Sequence, residues 1–299
     1  MIRSSKKNIK KKILIIGGNG FVGKHLFYFL NKKKKYQIYN PSRRSFDVSK
    51  FNVYKNILIN FQPNIVIHLA ARTVPTILTK REDKLQFKNT TLPVINLVDS
   101  LKYCTEIEKI IFFGSIEEYG LSKLPFTENK KPIPVSSYGI AKMNALKYIK
   151  IKIKSNKYNY IWIRPSLIFG KNVSKKRLLG ALFHGLKYKK KIKVSINSQI
   201  RDFLYIEDIC RFIELLIIKK IKIKGNILNV TAENWINLDS IFLYFHKKIQ
   251  KKLHKLVLNN FNKKHLDYYS SGKLLKKKFK EFKFANFKKT LNLSLRFRY

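Results

Sequence analysis

Short apolar runs alternate with segments of helical spacing along the first half of the chain. Four runs rich in Ile, Val and Phe predict buried strands: ILIIG (13–17), NIVIHLAA (64–71), KIIFFGS (109–115) and YIWIRPSLIFG (160–170). Three segments predict helices: GKHLFYFLNK (23–32), LPVINLVDSLKYC (92–104) and SSYGIAKMNALKYIK (136–150). Buried strands that alternate with helices predict an α/β fold with a parallel sheet wound by right-handed βαβ units. After residue 170 the alternation becomes less regular.

A glycine-rich turn follows the first predicted strand. Its glycines fall at Gly17, Gly20 and Gly23, just before the first predicted helix. Glycines at such a turn let backbone N–H groups and the helix N-terminus approach a pyrophosphate closely. The spacing G-x-x-G-x-x-G differs from the commoner G-x-G-x-x-G, and an ordinary glycine turn is the alternative. The position at a strand–helix junction favours a dinucleotide site.

The end of the second strand bears on which dinucleotide is bound. An NAD site commonly has an acidic residue there, which binds the ribose 2′-hydroxyl. The segment YQIYNPSRRSFDV (36–48) has no acidic residue before Asp47, and Arg43 and Arg44 stand side by side. Adjacent guanidinium groups suit a 2′-phosphate, although two solvated surface arginines are the alternative. The predicted cofactor is therefore NAD(P), with NADP(H) favoured over NAD.

The formal net charge of this 299-residue chain is +47. Such a charge is compatible with a polyanionic partner such as nucleic acid. However, 53 of the 64 basic residues are Lys and they are spread along the whole chain, whereas proteins that read phosphates and bases favour Arg. Residues with A/T-rich codons are abundant throughout, so compositional bias explains the charge better. We predict no specific nucleic-acid partner.

The two cysteines and the apolar runs indicate the compartment. Cys104 and Cys210 form neither a disulfide framework nor a zinc motif, which predicts a reducing compartment and no metal site. The apolar run at 13–16 is shorter than the roughly 7–15 residues of a signal-peptide core. No run approaches the roughly 18 residues of a membrane span. We therefore expect a cytoplasmic protein.

Six motifs in one order carry a resemblance to a known family. They are the glycine loop, His68–Ala71, Gly114–Gly120, Ser137–Lys142, Arg164–Gly170 and Arg201–Asp208. Over residues 12–250 this series resembles the extended short-chain dehydrogenases/reductases of the NAD-dependent epimerase/dehydratase family, which act on nucleotide sugars. The resemblance implies an enzyme with a Rossmann-type doubly wound parallel sheet in residues 1–169, to which a segment near 201–230 returns. It also implies a smaller C-terminal substrate-binding domain, mainly residues 170–299.

The resemblance selects one of six Tyr-x-x-x-Lys pairs in this Lys-rich chain. Ser115, Tyr138 and Lys142 match the family's catalytic hydroxyl, Tyr and Lys, and the other five pairs are expected at the surface. Residues i and i+4 share a helix face, so Lys142 can hold its ammonium near the phenol of Tyr138 and is expected to lower the pKa of that phenol. Tyr138 can then exchange a proton with a sugar oxygen, to which Ser115 also hydrogen-bonds, while hydride moves between carbon and nicotinamide.

Sequence and resemblance together assign residues to two ligands. The cofactor is assigned Gly17, Gly20, Phe21, Val22, Gly23, Arg43, Arg44, Asp47, Val48, Leu69, Ala70, Ala71, Asn89, Lys142 and Pro165. The nucleotide-sugar substrate is assigned Ser115 and Arg201, and Arg201 matches the Arg that commonly contacts the substrate phosphates. A local ion pair between Arg201 and Asp202 is the alternative.

Three reactions at the sugar C4 use this machinery: NAD-dependent 4-epimerisation, 4,6-dehydration, and NADPH-dependent reduction of a 4-keto-6-deoxy-sugar nucleotide. Glu117 occupies the position of the dehydratase acid/base, but Ile116 replaces the Asp or Ser that precedes it there. A salt-bridged loop residue is the alternative for Glu117 or Glu118. The segment 41–71 resembles the compact arrangement of 4-keto reductases, and the missing NAD-type acid also favours the reductase. The other two reactions stay open.

A protein of another class, a catalytically silent Rossmann protein that binds nucleic acid, also has to be weighed. The complete set of Ser115, Tyr138 and Lys142 argues against it, since a binding protein has no need of all three. Members of the family are often dimers through two helices per subunit. By analogy we expect a homodimer through the helices predicted at 92–104 and 136–150.

Overall fold

The computed structural model describes residues 10–73, 79–153, 158–188, 192–196, 198–220, 222–223, 226–250, 256–260 and 266–296. Its strands are β1 (Lys11–Ile16), β2 (Tyr36–Tyr39), β3 (Ile65–His68), β4 (Lys109–Phe113), β5 (Tyr160–Pro165), β6 (Leu167–Phe169), β7 (Ile192–Ile196), β8 (Ile200–Tyr205), β9 (Ile227–Val230), β10 (Trp235–Asn237) and β11 (Leu256–Asn260). Its α-helices are α1 (Phe21–Asn31), α2 (Phe51–Phe61), α3 (Lys80–Gln86), α4 (Leu92–Ser100), α5 (Ser137–Lys152), α6 (Leu178–Tyr188), α7 (Ile206–Ile218), α8 (Leu238–Gln250), α9 (Lys273–Lys278) and α10 (Phe287–Arg296). A π-helix spans Phe87–Thr91, and short 3-10 helices span Leu101–Tyr103 and Ile116–Glu118.

A parallel sheet of six strands lies at the centre, in the order β2-β1-β3-β4-β5-β9. From β1 the chain first passes to β2 on one side and then returns to β3, β4 and β5 on the other. This confirms the predicted α/β fold with a Rossmann-type doubly wound sheet. Ligands of such folds bind at the carboxyl ends of the strands where the winding changes direction, which here is between β1 and β3.

Helices on both faces bury the central strands completely. Residues 13–16 of β1 and 110–112 of β4 have no exposed surface, and the rest of the sheet interior is similarly apolar. Continuous apolar strands are typical of parallel sheets, because both faces are covered. In the part of the chain that the structure describes, no helix is both long and apolar enough to span a membrane.

The segment predicted as one strand at 160–170 forms two strands in different sheets. β5 belongs to the large sheet and ends at Pro165, whereas β6 pairs with β8 in a three-stranded sheet of order β10-β8-β6. Ser166 lies between them, buried, and its hydroxyl donates to Asp202 over 2.5 Å. A continuous apolar run does not reveal such a change of sheet, because both halves are equally buried.

Candidate active site

The glycine loop makes a tight turn at the carboxyl end of β1. Gly17 has a φ of +87°, and a Cβ there would lie 2.6 Å from the backbone N of Ala70 after β3. A Cβ at Gly23 would lie 2.4 Å from the Cα of Gly18. Gly20 is the N-cap of α1, and its N–H donates to the oxygen of Gly17 over 3.1 Å. The first N–H groups of a helix have no partner within it, so this turn offers donors to a phosphate.

A neutral amide occupies the position after β2 where NAD sites have an acid. Asn40 directly follows β2, and a Cβ at Gly18 would lie 1.7 Å from its side-chain oxygen. This oxygen is buried and has no hydrogen-bond partner among the described residues. Arg43 and Arg44 are exposed in the turn that follows. The glycine turn, the orphaned amide oxygen and the two cations therefore fit a nicotinamide dinucleotide.

The other residues assigned to the cofactor surround the same edge of the sheet. Phe21 and Val22 open α1, Leu69, Ala70 and Ala71 follow β3, Asp47 and Val48 precede α2, and Pro165 ends β5. Hydrogen bonds from the backbone and hydroxyl of Ser49 lower the pKa of Asp47. Asn89 lies in the π-helix, where its amide donates to the oxygen of Leu85 over 2.8 Å. Local π-helices are frequent at functional sites.

Ser115, Tyr138 and Lys142 lie beyond the end of β4. Ser115 caps the 3-10 helix at residues 116–118, and its hydroxyl accepts from the N–H of Glu117 over 3.1 Å. Tyr138 stands in the first turn of α5, and Lys142 follows one turn later. The Nζ of Lys142 is buried 5.8 Å from the ring centre of Tyr138 and donates to the oxygen of Phe113 over 2.5 Å. The structure thus brings the three residues together.

The prediction that Lys142 lowers the pKa of the Tyr138 phenol is wrong, since the pKa of this phenol is raised. Tyr138 keeps part of its surface exposed, yet burial of its phenol raises the pKa, and Glu117 raises it further. Arg177 and a hydrogen bond with Ser115 oppose this shift less strongly. Burial also lowers the pKa of Lys142, to about 8, because its ammonium has lost most of its water. Tyr138 is therefore a protonated phenol at neutral pH and a proton donor.

The consecutive residues Glu117 and Glu118 have different surroundings. Glu118 is buried, and its carboxylate forms a salt bridge with Arg164, whose Nη2 lies 2.7 Å away. Glu117 has no ion pair within the described part of the chain and accepts a hydrogen bond from Ser136 Oγ over 3.0 Å. Burial raises the pKa of Glu117, which the positive charges of Arg177 and Arg201 partly oppose. The salt-bridged alternative thus holds for Glu118 and is wrong for Glu117, which belongs to the Tyr138 site.

The ion-pair alternative for Arg201 and Asp202 is also wrong. Consecutive residues of a strand point to opposite faces. The Arg201 guanidinium donates to the oxygen of Leu266 over 2.6 Å and lies 5.3 Å from the ring centre of Tyr268. Asp202 is buried among the hydroxyls of Ser166, Thr231 and Ser270, and burial raises its pKa to about 6. The Arg201 guanidinium therefore does not pair with Asp202 and lies within electrostatic range of Glu117.

The five other Tyr-x-x-x-Lys pairs are not all at the surface. Tyr28 is 64% exposed, and Tyr148 donates its hydroxyl to Asp99 at the surface, as expected. Tyr119 is instead completely buried, and its hydroxyl donates to the amide oxygen of Asn229 over 2.8 Å. The expectation of a surface pair is wrong for Tyr119, because the turn after β4 folds this ring under the site.

Four residues of the site were not recognised from the sequence: Asn40, Glu118, Arg164 and Arg177. The first had a readable signal, since it stands where an NAD-type acid was sought. The others had none, because their importance depends on contacts between segments far apart in the chain. Arg177, for example, precedes α6, and its Nη2 lies 3.3 Å from the oxygen of Thr73, to which it donates.

Replacement of Gly23 by Ala is expected to destabilise the fold, because the added Cβ would overlap backbone atoms of the glycine loop that cannot move aside. Overpacking of this kind costs about 1–3 kcal/mol. The matched control is Gly20→Ala, whose Cβ would meet only the oxygen of Gly17, at 3.3 Å. Thermal denaturation without ligand measures the effect. Equal melting temperatures for the two variants would show that the loop is looser than described.

Comparisons with known proteins bear on the identity of this site. The sequence model of the family described as "NAD dependent epimerase/dehydratase family" matches residues 13–231. The chain is 26% identical over 216 residues to a GDP-6-deoxy-D-talose 4-dehydrogenase of Aggregatibacter actinomycetemcomitans, which covers 71% of each chain. It is 26% identical over 276 residues to a dTDP-4-dehydro-6-deoxyglucose reductase of Escherichia coli, covering 81% of this chain and 83% of the relative.

A solved structure shows the same fold. The UDP-glucose 4-epimerase of Thermotoga maritima, crystallised with UDP-glucose, superimposes with a TM-score of 0.80 at 19% identity, covering 95% of this chain and 97% of that one. All three of these similar proteins are named as enzymes, which disfavours a catalytically silent protein. Since the family model matches well over half of the chain, and since the glycine loop, Ser115, Tyr138 and Lys142 meet at one edge of the expected sheet, the chain belongs to the NAD-dependent epimerase/dehydratase family.

Proposed function

We propose that this chain reduces the C4 ketone of a 4-keto-6-deoxy-sugar nucleotide with NADPH. The observation that supports this most is the buried phenol of Tyr138, which is protonated at neutral pH beside Ser115 and Lys142. Ketone reduction begins with a phenol that donates a proton, whereas alcohol oxidation needs a phenolate first. The two relatives named above are a 4-dehydrogenase and a 4-dehydro-sugar reductase of 6-deoxy-sugar nucleotides, which agrees with this reaction.

The proton and the negative charge have defined places in this proposal. The hydroxyls of Ser115 and Tyr138 hydrogen-bond the ketone oxygen and orient it. When bound, NADPH supplies the hydride that adds to C4. Tyr138 gives its proton to the oxygen that becomes negative, and the phenolate left behind is stabilised by the ammonium of Lys142. Solvent then returns a proton to Tyr138.

The ends of the two ligands are assigned to cations. Arg43 and Arg44 bind the 2′-phosphate of NADPH, and the neutral Asn40 avoids the repulsion that a carboxylate would cause. Arg201 binds the diphosphate of the sugar nucleotide, a pairing that suits a guanidinium. It lies within electrostatic range of Glu117, which supports a role beside the catalytic residues. We further propose that residues 170–299, apart from the segment near 201–230, mainly bind the substrate, and that α4 and α5 form a homodimer.

A 4,6-dehydratase is the second candidate, favoured by the position of Glu117. The charge of this carboxyl acts on Tyr138, and burial raises the pKa of Glu117, as a general acid requires. The neighbouring Ile116 offers no second carboxyl or hydroxyl for the elimination. The reductase is therefore preferred, and NAD-dependent 4-epimerisation is the third outcome that the experiment must distinguish.

Incubation of the purified protein with a panel of nucleotide sugars and their 4-keto-6-deoxy derivatives tests the proposal. We expect NADPH absorbance at 340 nm to fall only with a 4-keto derivative, and product to form in equal amount. Exchange of configuration at C4 with no net change of cofactor would instead identify an epimerase. Formation of a 4-keto-6-deoxy product from the parent nucleotide sugar would identify a dehydratase.

A further inference from the structure

Glu118 lies at the centre of a buried hydrogen-bond network directly behind the candidate active site. One oxygen of this carboxylate accepts from the backbone N–H of Ser115 and from the indole N–H of Trp162, each over 2.9 Å. The other oxygen accepts from Nε of Arg164 over 2.8 Å, and the guanidinium Nη2 lies 2.7 Å away. Glu118 has no exposed surface and Arg164 has 1%. Each oxygen of this carboxylate is thus engaged by two donors.

The chain makes room for this network at Gly114. A Cβ there would lie 2.4 Å from a carboxylate oxygen of Glu118 and 2.1 Å from the indole nitrogen of Trp162. Only glycine lets the strand end approach both groups so closely. The next residue is Ser115, whose N–H and hydroxyl are both engaged by the turn. The position of the candidate catalytic hydroxyl therefore depends on the carboxylate of Glu118.

Lys142 is the second candidate catalytic group beside this network. Its Nζ donates to the oxygen of Phe113, which precedes Gly114, and lies 5.9 Å from the ring centre of Trp162, whose indole donates to Glu118. Among the described residues, three titratable groups face the Lys142 ammonium: Tyr138 on its own helix, His68 on β3 and Glu118 after β4. Burial lowers the pKa of His68 to about 3, so this ring is neutral and supplies no charge. Glu118 raises the pKa of Lys142 and opposes the effect of burial, which lowers it to about 8. Glu118 is therefore the negative charge that favours the ammonium.

We propose that Glu118 is a positioning residue of the reaction, which fixes Ser115 through its backbone and keeps the side chain of Lys142 an ammonium through its charge. Arg164 makes this possible, because a buried carboxylate needs a paired cation and hydrogen bonds. The Glu118 carboxylate thus has two effects. It holds the hydroxyl of Ser115 in place, and it keeps charged the Lys142 ammonium that stabilises the Tyr138 phenolate. The catalytic part of this inference rests on the proposed function.

Two variants separate the electrostatic role of Glu118 from a merely structural one. Glu118→Gln keeps the shape and removes the charge, but it leaves the Arg164 guanidinium buried and unpaired, which can prevent folding. The double variant Glu118→Gln/Arg164→Met replaces both charges with neutral groups of similar size and avoids that penalty. Glu128→Gln is the matched control, since the Glu128 carboxylate also accepts a buried N–H, that of Asn229 over 2.9 Å, without contact to Ser115.

NMR titration of the protein with 13C-labelled lysine side chains measures the charge effect without any substrate. The Lys142 signal is assigned by its loss in Lys142→Arg. We expect its titration midpoint to fall by about one pH unit in Glu118→Gln, and to fall by less in the double variant, because Arg164→Met also removes a positive charge that disfavours the ammonium. Lys109 is an internal control, because burial lowers its pKa to about 8 as well. It stands at the beginning of β4, away from Glu118, and its ammonium donates to the oxygen of Lys219.

Turnover adds the kinetic consequence. In the double variant we expect kcat to fall by about tenfold or more with the KM for NADPH changed less than about threefold, and the alkaline limb of the pH–rate profile to move to lower pH. A double variant in which Lys142 titrates as in the wild type overturns the inference, whether or not the substrate has been identified. If Lys142 shifts but no 4-keto sugar is reduced by the wild type, the proposed function fails and the electrostatic role of Glu118 stands.

Discussion

Tyr138→Phe is expected to lower kcat for 4-keto-sugar reduction by about a thousandfold, within the range that general acids contribute, while NADPH binds as before. The phenylalanine keeps the ring that packs beside Lys142 but has no proton to give to the developing alkoxide. The hydrogen bond from Ser115 and the positioning of the bound substrate would still accelerate the reaction in part. Single-turnover measurement of NADPH oxidation isolates this step from product release.

Tyr148→Phe is the matched control for this prediction. Tyr148 lies on the same helix α5 and has Lys152 four residues later, with the ammonium 5.8 Å from its ring centre. Its hydroxyl, however, donates to Asp99 at the surface, over 2.6 Å. We expect turnover to be unchanged in this variant. Turnover by Tyr138→Phe at the rate of the control would remove Tyr138 from the mechanism and with it the proposed role of Lys142.

The contrast between these two tyrosines shows what local sequence contains and what it does not. Both have the spacing that brings Tyr and Lys onto one helix face, and both pairs are formed in the structure. The difference lies in the segment after β4, which brings Ser115 to Tyr138 from 23 positions away in the chain. Only the ordered series of motifs, read through the family resemblance, could select Tyr138.

The main strands and helices were predictable because each is a continuous apolar or amphipathic segment. β3 and β4 lie inside the predicted ranges and β1 begins two residues before its own, as burial on both faces imposes an apolar run on each of these strands. The break at Ser166 was not predictable, since apolar residues continue on either side of it while the chain passes from one sheet to another. The pattern of hydrophobic residues along a strand predicts its burial but not which strand it pairs with.

The electrostatics of the site were the least predictable part. From the sequence, Lys142 alone was expected to act on the phenol of Tyr138, and a cation nearby implies a lower pKa. The structure adds the burial of both groups and the charge of Glu117, and these effects reverse the direction of the shift. Burial and carboxylates from other segments are properties of the folded chain. The direction of a pKa shift therefore cannot be predicted from the sequence spacing of one neighbouring charge alone.

Replacement of both Arg43 and Arg44 by Ala is expected to weaken NADPH binding by about a hundredfold and to leave NADH binding nearly unchanged. Both arginines are exposed in the turn after β2, and Asn40 at the start of this turn lies against Gly18 of the glycine loop. Each hydrogen bond to a charged group contributes about 1.5–3 kcal/mol, so the loss of one or two such bonds to a 2′-phosphate accounts for this factor. NADH has a hydroxyl at the same position and loses no such contact. Titration of cofactor fluorescence gives both dissociation constants without a substrate.

Lys32→Ala/Lys34→Ala is the matched control for the loss of two positive charges. Both lysines are exposed just after α1, whereas the glycine loop lies at the beginning of that helix. In a chain with a net charge of +47, NADPH could be attracted by the overall field as well as by a defined pocket. A field effect would weaken NADPH binding equally in both double variants and would vanish at high salt. A pocket formed by Arg43 and Arg44 affects only their own variant and discriminates NADPH from NADH. Equal losses of NADPH and NADH binding in the Arg43/Arg44 variant would contradict the assignment of the 2′-phosphate to these arginines, because NADH has no 2′-phosphate for them to bind.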